Sequence, residues 1–430
     1  MMGKFDGKVL LVLGSNVGSV DIVQYAKSNG AKVLVADYYL MDKSEAKRFS
    51  DKNFLVSTAD LEELGNIIKK YKVDAVLSGI SEFNIIQAME LSEKYSLPFY
   101  CTKKQWNMIE HKNKFREMCV KYNVPCPSTY YIGGKMMGID KKDFKFPLVI
   151  KPIDGCASAG VHICNDIQEL EYYEQDSLDV SKNRQIIVEE FVEGEEFTAH
   201  YTIANGEVAL SCIDNRYPVS VHEGTVTTVP IARVYPCKYI NEYLVKANDQ
   251  VINLCKSLNI TNGILFVQGL YNAYLKKFYI FEAGLRSAAE APYRFISKIN
   301  GINPLYLLVD DALSVKSEYK IKNEDPYMHG KCCGVISFVT IGGTVGKIIG
   351  LEESIKHLQS VIEYEVRYPE GSVAPKGDTL RQLMLRFVMV CDNKEKMKKD
   401  ITYLNEHIFV LNNMGENMVI KPLIDKIVVF

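Results

Sequence analysis

No C-x-x-C pair occurs among the 11 cysteines of this 430-residue chain, and only Cys332 and Cys333 are adjacent. That scatter excludes a zinc ribbon or a disulfide framework and reads as free, mostly buried thiols in a reducing cytoplasm. Neither charge is in excess: 51 basic against 53 acidic residues leave a net charge of −2. No global field therefore favours nucleic acid or an anionic membrane. The apolar run in the N-terminal MMGKFDGKVLLVLG is too short for a signal peptide or a membrane span and reads as a first strand. Low-complexity tracts and short repeats are missing too. With 47% hydrophobic and 24% charged residues, what is left is a globular chain too long for one core, so roughly two to four domains are expected.

Lys8–Leu13, a turn over Gly14–Gly18, a helix to about Asn29 and the strand Lys32–Ala36 make a βαβ unit. Its G-x-x-x-G spacing misses the dinucleotide fingerprint, which favours a tight strand-to-helix turn over NAD binding. The strand Asp74–Leu77 runs into Ser78–Asn84, and such carboxyl ends face ligand crevices in open α/β sheets. Ser81, Glu82 and Asn84 are candidate substrate contacts; capping of the helix Phe83–Lys94 is the alternative for Ser81 and Glu82. Lys103–Tyr122 reads as helical, and the cations of its His111–Arg116 stretch read as a solvated face.

The stretch Ile186–Thr198 organises the middle of the chain. A strand, a turn at Gly194 and a second strand from Phe197 would form a hairpin-like edge. Backbone groups of Glu189, Glu190, Phe191 and Val192 could pair with an adenine edge, and a carboxylate beyond the turn could accept from ribose hydroxyls. An ordinary hairpin with a solvated acidic tip is the alternative. Upstream, Phe146–Ile150 is a buried strand ending in Lys151, whose ammonium needs an anionic partner. The small-residue loop after it, Asp154–Val161, can bring N–H groups and the Ser158 hydroxyl to phosphates; a tight hairpin loop is the alternative.

Downstream, Gly263–Leu270 and Phe278–Glu282 read as paired strands that place Gln268 and Glu282 on one face. Two oxygen ligands there suit magnesium held between protein and phosphate, and Arg286 leaves the same strand end beside the transferring phosphoryl group. Loop residues of Asp214–Thr225, among them Arg216 and His222, are further candidate substrate contacts. Arg294 and Ser287–Ala289 would form a pocket wall with Arg286. From Gly330 the pattern becomes a small α+β unit without a charged constellation, expected to pack over the cleft or make a homodimer contact.

In this order, the motifs V-I-K-P, E-E-F-V-E-G-E-E-F and a Gln strand before F-E-A-G-L-R resemble the ATP-grasp superfamily, from the N-terminus to about residue 315. The likeness is to carbamoyl-phosphate synthase large subunits and amino-acid ligases. The resemblance implies an α/β and α+β fold: a Rossmann-like pre-ATP-grasp domain over 1–105, a two-lobed ATP-grasp module over 106–325 and a small α+β domain over 326–430. It makes Lys151 the second phosphate lysine and Lys112, in preference to Lys114, the first. Glu189–Val192 become the adenine hinge, Glu196 the ribose carboxylate, Gln268 and Glu282 the magnesium ligands, and Arg286 the arginine at the reacting carboxyl-phosphate. ATP and Mg2+, with Mn2+ as the alternative ion, would serve a small carboxylate and an amine acceptor in an ADP-forming ligation. A bicarbonate-using carboxylase or carbamoyl-phosphate-forming enzyme is the alternative, although no M-K-M biotin-attachment sequence occurs, and a non-catalytic nucleotide binder is the third reading. The departure from the family is Gly284, where Asn is usual: it either removes a metal ligand or leaves room for a bulky acceptor.

Overall fold

The computed structural model describes residues 3–154, 159–219, 229–377, 380–422 and 424–427. The fold class is the expected one, α/β followed by α+β. The first sheet is wholly parallel, in the order β3-β2-β1-β4, from β1 (Val9–Leu13), β2 (Lys32–Asp37), β3 (Lys52–Leu55) and β4 (Ala75–Ser78). Leu10–Leu13 and Val33–Ala36 are buried on both faces, which is why these strands read as unbroken apolar runs. Gly14 and Gly18 take φ of +75° and +86°, a left-handed geometry that only glycine enters without cost. The glycine spacing thus serves a tight turn.

A second, antiparallel sheet follows in the order β5-β8-β6-β7, with β5 (Thr129–Gly133), β6 (Leu148–Pro152), β7 (His162–Cys164) and β8 (Ile186–Glu190). The helix Ile167–Val180 closes its apolar side, where Leu170 and Leu178 pack on Leu148, Ile150, Ile186 and Val188. Next come β9 (Glu195–Ala204), β10 (Glu207–Ile213), β11 (Asn215–Val219), β12 (Val229–Tyr235), β13 (Gly263–Asn272) and β14 (Lys277–Gly284). Four of these form a sheet in the order β10-β9-β13-β14. Along β9, Phe197, Ala199, Tyr201 and Ile203 join the largest core; strand alternation therefore turns Glu196, Thr198 and His200 to the opposite face.

The remaining strands are β15 (Cys332–Thr340), β16 (Gly343–Ile349), β17 (Val361–Val366), β18 (Val373–Ala374), β19 (Leu383–Cys391), β20 (Phe409–Asn412) and β21 (Val419–Ile420). One sheet runs β11-β12-β15-β19-β17 with β21 beside β15, and a second runs β18-β16-β20. The larger sheet takes two strands from residues 215–235, so no clean cut at residue 326 separates its two halves. Among the described residues, no helix is long and apolar enough to cross a membrane.

Candidate functional site

Lys151 sits near the end of β6, where β8 runs beside it with Val149 opposite Glu189. Its Nζ lies 2.6 Å from Glu189 Oε2. Glu189 is 2% exposed and also accepts from Arg116 Nε at 2.7 Å, while Arg116 Nη1 donates to the Ile280 carbonyl at 3.0 Å. Burial would raise the Glu189 pKa, but Lys151 and Arg116 together hold it below the usual carboxylate range. Burial also lowers the Lys151 pKa, with Glu189 opposing and Arg116 and Lys112 adding to the shift. Arg116, read from the sequence as part of a solvated face, is only 4% exposed. The helix Lys112–Lys121 turns it inward because a carboxylate waits there.

The same contacts narrow which backbone groups of the expected adenine edge are open. Glu189 pairs through its backbone with both β5 and β6, and its side chain is committed to the two cations. The Glu190 N–H donates to Ser128 O at 2.9 Å and the Phe191 N–H to Pro147 O at 3.2 Å, while Glu190 Oε1 accepts from the Ser128 N–H. Val192, in the linker between β8 and β9, is the residue of the four whose N–H has no partner among the described residues. Lys112 is close enough to Lys151 to lower its pKa; Lys114 instead pairs with Glu117 on the surface. Glu196 and Arg216, expected at ribose and at substrate, form an ion pair with each other. Ser158 and His222 lie outside the described residues.

On the sheet face, Gln268 of β13 stands directly opposite Thr198 of β9 on one side and Glu282 of β14 on the other. Gln268 Nε2 lies 3.5 Å from Thr198 Oγ1, which turns the amide oxygen the other way. An amide oxygen beside a carboxylate is a hard donor pair that fits Mg2+ completed by phosphate oxygens and water. Among the described residues, no group of three or more His, Cys, Asp or Glu forms a metal cluster, so the remaining ligands would have to come from elsewhere.

Beyond Glu282, Gly284 does not leave open space. A β-carbon there would come within 2.3 Å of Phe266 Cε1 and 3.2 Å of Glu110 Oε1. The room expected for a bulky acceptor is filled by an aromatic ring. Arg286 stacks over that ring with its guanidinium 5.1 Å from the centroid. Its Nε is buried without a partner among the described residues, and its Nη2 is 3.7 Å from Glu82 Oε2. Ser81 caps its helix by accepting from the Asn84 N–H, and Asn84 Oδ1 accepts from Thr58 Oγ1 at 2.7 Å. Of those three, only Glu82 reaches Arg286. Arg294 pairs with Glu363 of β17 at 2.5 Å, and Arg386 of β19 donates to the Ala289 carbonyl. The C-terminal strands thereby meet the segment that follows Arg286.

Three buried polar groups at this face, Arg233, His200 and Glu290, went unassigned from the sequence, and Asp214 was included only within the candidate stretch Asp214–Thr225. Arg233 Nη1 lies 2.8 Å from Thr198 Oγ1, 2.7 Å from Asp214 Oδ2 and 3.2 Å from Glu290 Oε1. His200 Nε2 is also 3.2 Å from Glu290 Oε1. Burial would raise the Glu290 pKa, yet Arg233 and His200 hold it low. The one available signal was the i, i+2 spacing that puts His200 and Thr198 on the Glu196 face; Arg233, Asp214 and Glu290 come from separate segments.

Residues 144–268 match the ATP-grasp domain family. The carbamoyl phosphate synthase large chain of Clostridium perfringens is 23% identical over 337 residues, 74% of this chain. The match takes in 30% of that protein, so the chain spans under a third of such a relative's length. An L-amino acid ligase from Bacillus licheniformis superposes with a TM-score of 0.75 at 18% identity, over 95% of this chain and 99% of that one. The biotin carboxylase domain of a 2-oxoglutarate carboxylase from Hydrogenobacter thermophilus, solved with MgADP and bicarbonate, gives 0.73 at 13% identity, over 94% and 91%. At these identities the structures establish a shared fold.

Proposed function

We propose, from the premise that this chain carries an ATP-grasp domain within an ATP-grasp fold, that it is an ATP-dependent, ADP-forming ligase joining a small carboxylate to an amine. The observation that supports this most is the cross-strand row Thr198, Gln268 and Glu282, with Arg286 leaving the same strand end. A carboxylate resists direct attack by an amine. Transfer of the γ-phosphoryl group to it gives an acyl phosphate, from which the amine displaces phosphate. In this reading Lys151 and Lys112 sit along the nucleotide phosphates, and Arg116 keeps Glu189 and Lys151 aligned before ATP arrives. Arg286 offers its unpartnered Nε–H to the oxygen that gains charge, a preorganised donor of the kind that lowers such barriers. Gln268 and Glu282 would hold Mg2+, which when bound neutralises charge on the transferred phosphoryl group.

Bicarbonate as the carboxylate substrate is a second reading, supported by the likeness to a carbamoyl phosphate synthase chain. One assay separates the readings: phosphate release from ATP with paired amino acids and other carboxylates, beside bicarbonate with and without an amine. Release that needs both an organic carboxylate and an amine is the expected result. Release with bicarbonate alone would move the assignment to the second reading, and ATP binding with no release on any pair would make the protein a binder.

A further inference from the structure

We propose that Glu110 is a metal ligand, supplying the oxygen that Gly284 withholds; this rests on the nucleotide and magnesium reading above. Glu110 ends the helix Lys103–Glu110, on the far side of the chain from β14 in sequence. In space its Oε1 lies 3.2 Å from the point where a β-carbon on Gly284 would sit. Residues 282 and 284 of one strand share a face, so Glu110 reaches over the face that carries Glu282. An asparagine at 284 would carry its side-chain oxygen into the same few ångströms of space.

Phe266 accounts for the rest of that volume. Its ring stands 2.3 Å from the same point, so an asparagine could not be added beside it. Glycine, phenylalanine and glutamate therefore act as one replacement: the ring takes the space and the carboxylate takes the oxygen's role. The Leu285 N–H donates to Glu110 Oε1 at 3.0 Å, which holds the carboxyl in place and leaves Oε2 for a cation. The residue keeps partial exposure, as a ligand facing a site must.

The test is Mn2+ binding to the full chain in the presence of ADP, followed by electron paramagnetic resonance and compared with Glu110→Gln. Glutamine keeps an acceptor for the Leu285 N–H, so a purely structural role predicts no change. A ligand role predicts Mn2+ affinity lower by at least roughly tenfold, with ADP affinity in the absence of metal unaltered. Adding Phe266→Ala and Gly284→Asn to Glu110→Gln should restore most of the Mn2+ affinity by returning the usual asparagine. If Glu110→Gln fails to fold, Glu110→Asp, which retracts the oxygen, takes its place with the same expectation. Wild-type Mn2+ affinity in a folded Glu110 variant, or no recovery in the triple variant, would overturn the assignment. Wild-type protein that binds neither ADP nor Mn2+ would instead overturn the nucleotide reading, and this inference with it.

Discussion

At the Lys151 end of the site, each buried charge meets its opposite inside the protein: Glu189 takes Lys151 on one oxygen and Arg116 on the other. At the Arg286 end, a buried Nε has no partner among the described residues, and Glu110 and Glu82 stand near Glu282 with Arg286 as the neighbouring cation. A pair completed within the fold holds a shape, and losing one member strands the other in a poor solvent. An unfinished group contributes little to folding and much to whatever ligand completes it. Arg116 should therefore report in stability, Lys151, whose loss still leaves Glu189 a cation, in nucleotide binding, and residues of the second end in binding and turnover.

The largest effect should come from Arg116→Ala, which removes two donors from Glu189 and one from the Ile280 carbonyl. Urea unfolding should show a loss of about 3–5 kcal/mol. Lys151→Ala leaves Glu189 with Arg116, so it should melt near wild type and lose ATP affinity by calorimetry. Equal destabilisation by both changes would erase the contrast. At the other end, Glu282→Gln should lower magnesium-dependent turnover by about 100-fold or more. Gln268→Ala should only raise the magnesium requirement, because a neutral amide oxygen gives up less than a charged carboxylate; matching losses in a magnesium titration would contradict that ranking.

Gly284→Asn must displace the Phe266 ring, and overpacking of this kind costs about 1–3 kcal/mol. Phe266→Ala in the same chain should recover much of that loss, as thermal melts would show. The last effect is confined to metal-free protein and to its pH dependence, and concerns Glu110. In metal-free protein its pKa lies near 8 against an ordinary 4.5, so the folded state keeps a proton that the unfolded chain releases. Wild-type stability should therefore fall as pH rises from about 4.5 to 8. Glu110→Gln lacks that slope, and its stability relative to wild type should improve between about pH 5 and pH 8. Parallel pH profiles would mean the carboxyl is not held neutral.

What was legible in the chain followed strand periodicity. Continuous apolar runs marked β1, β2 and β8, and a lysine or glutamate ending such a run stood out because burial needs a partner. The opposition of Gln268 to Glu282 followed from two strands joined by a short turn. Arg116 was misread because a helix with Lys112, Lys114 and Arg116 in sequence looks solvated, and only the approach of β8 shows which one turns inward. Glu110, Arg233 and Glu290 were not assigned, and Asp214 was grouped with substrate contacts, because each meets its partner across segments apart in the chain. The room supposed at Gly284 failed for a related reason: a missing side chain says nothing of the neighbour that fills its place.

The sheet that joins β11 and β12 to β15 through pairs such as Ala232 with Ile336 and Tyr235 with Cys333 limits how this architecture can be inherited. A C-terminal region bounded at residue 326 could not travel as a cassette onto another nucleotide-binding half, because two of its strands are encoded about a hundred residues upstream. A gene fusion made there would expose a bare strand edge on each fragment, and such edges promote aggregation. Recombination between relatives should therefore keep the segment 215–235 together with 332–420, leaving the loops around the site as the part free to diverge.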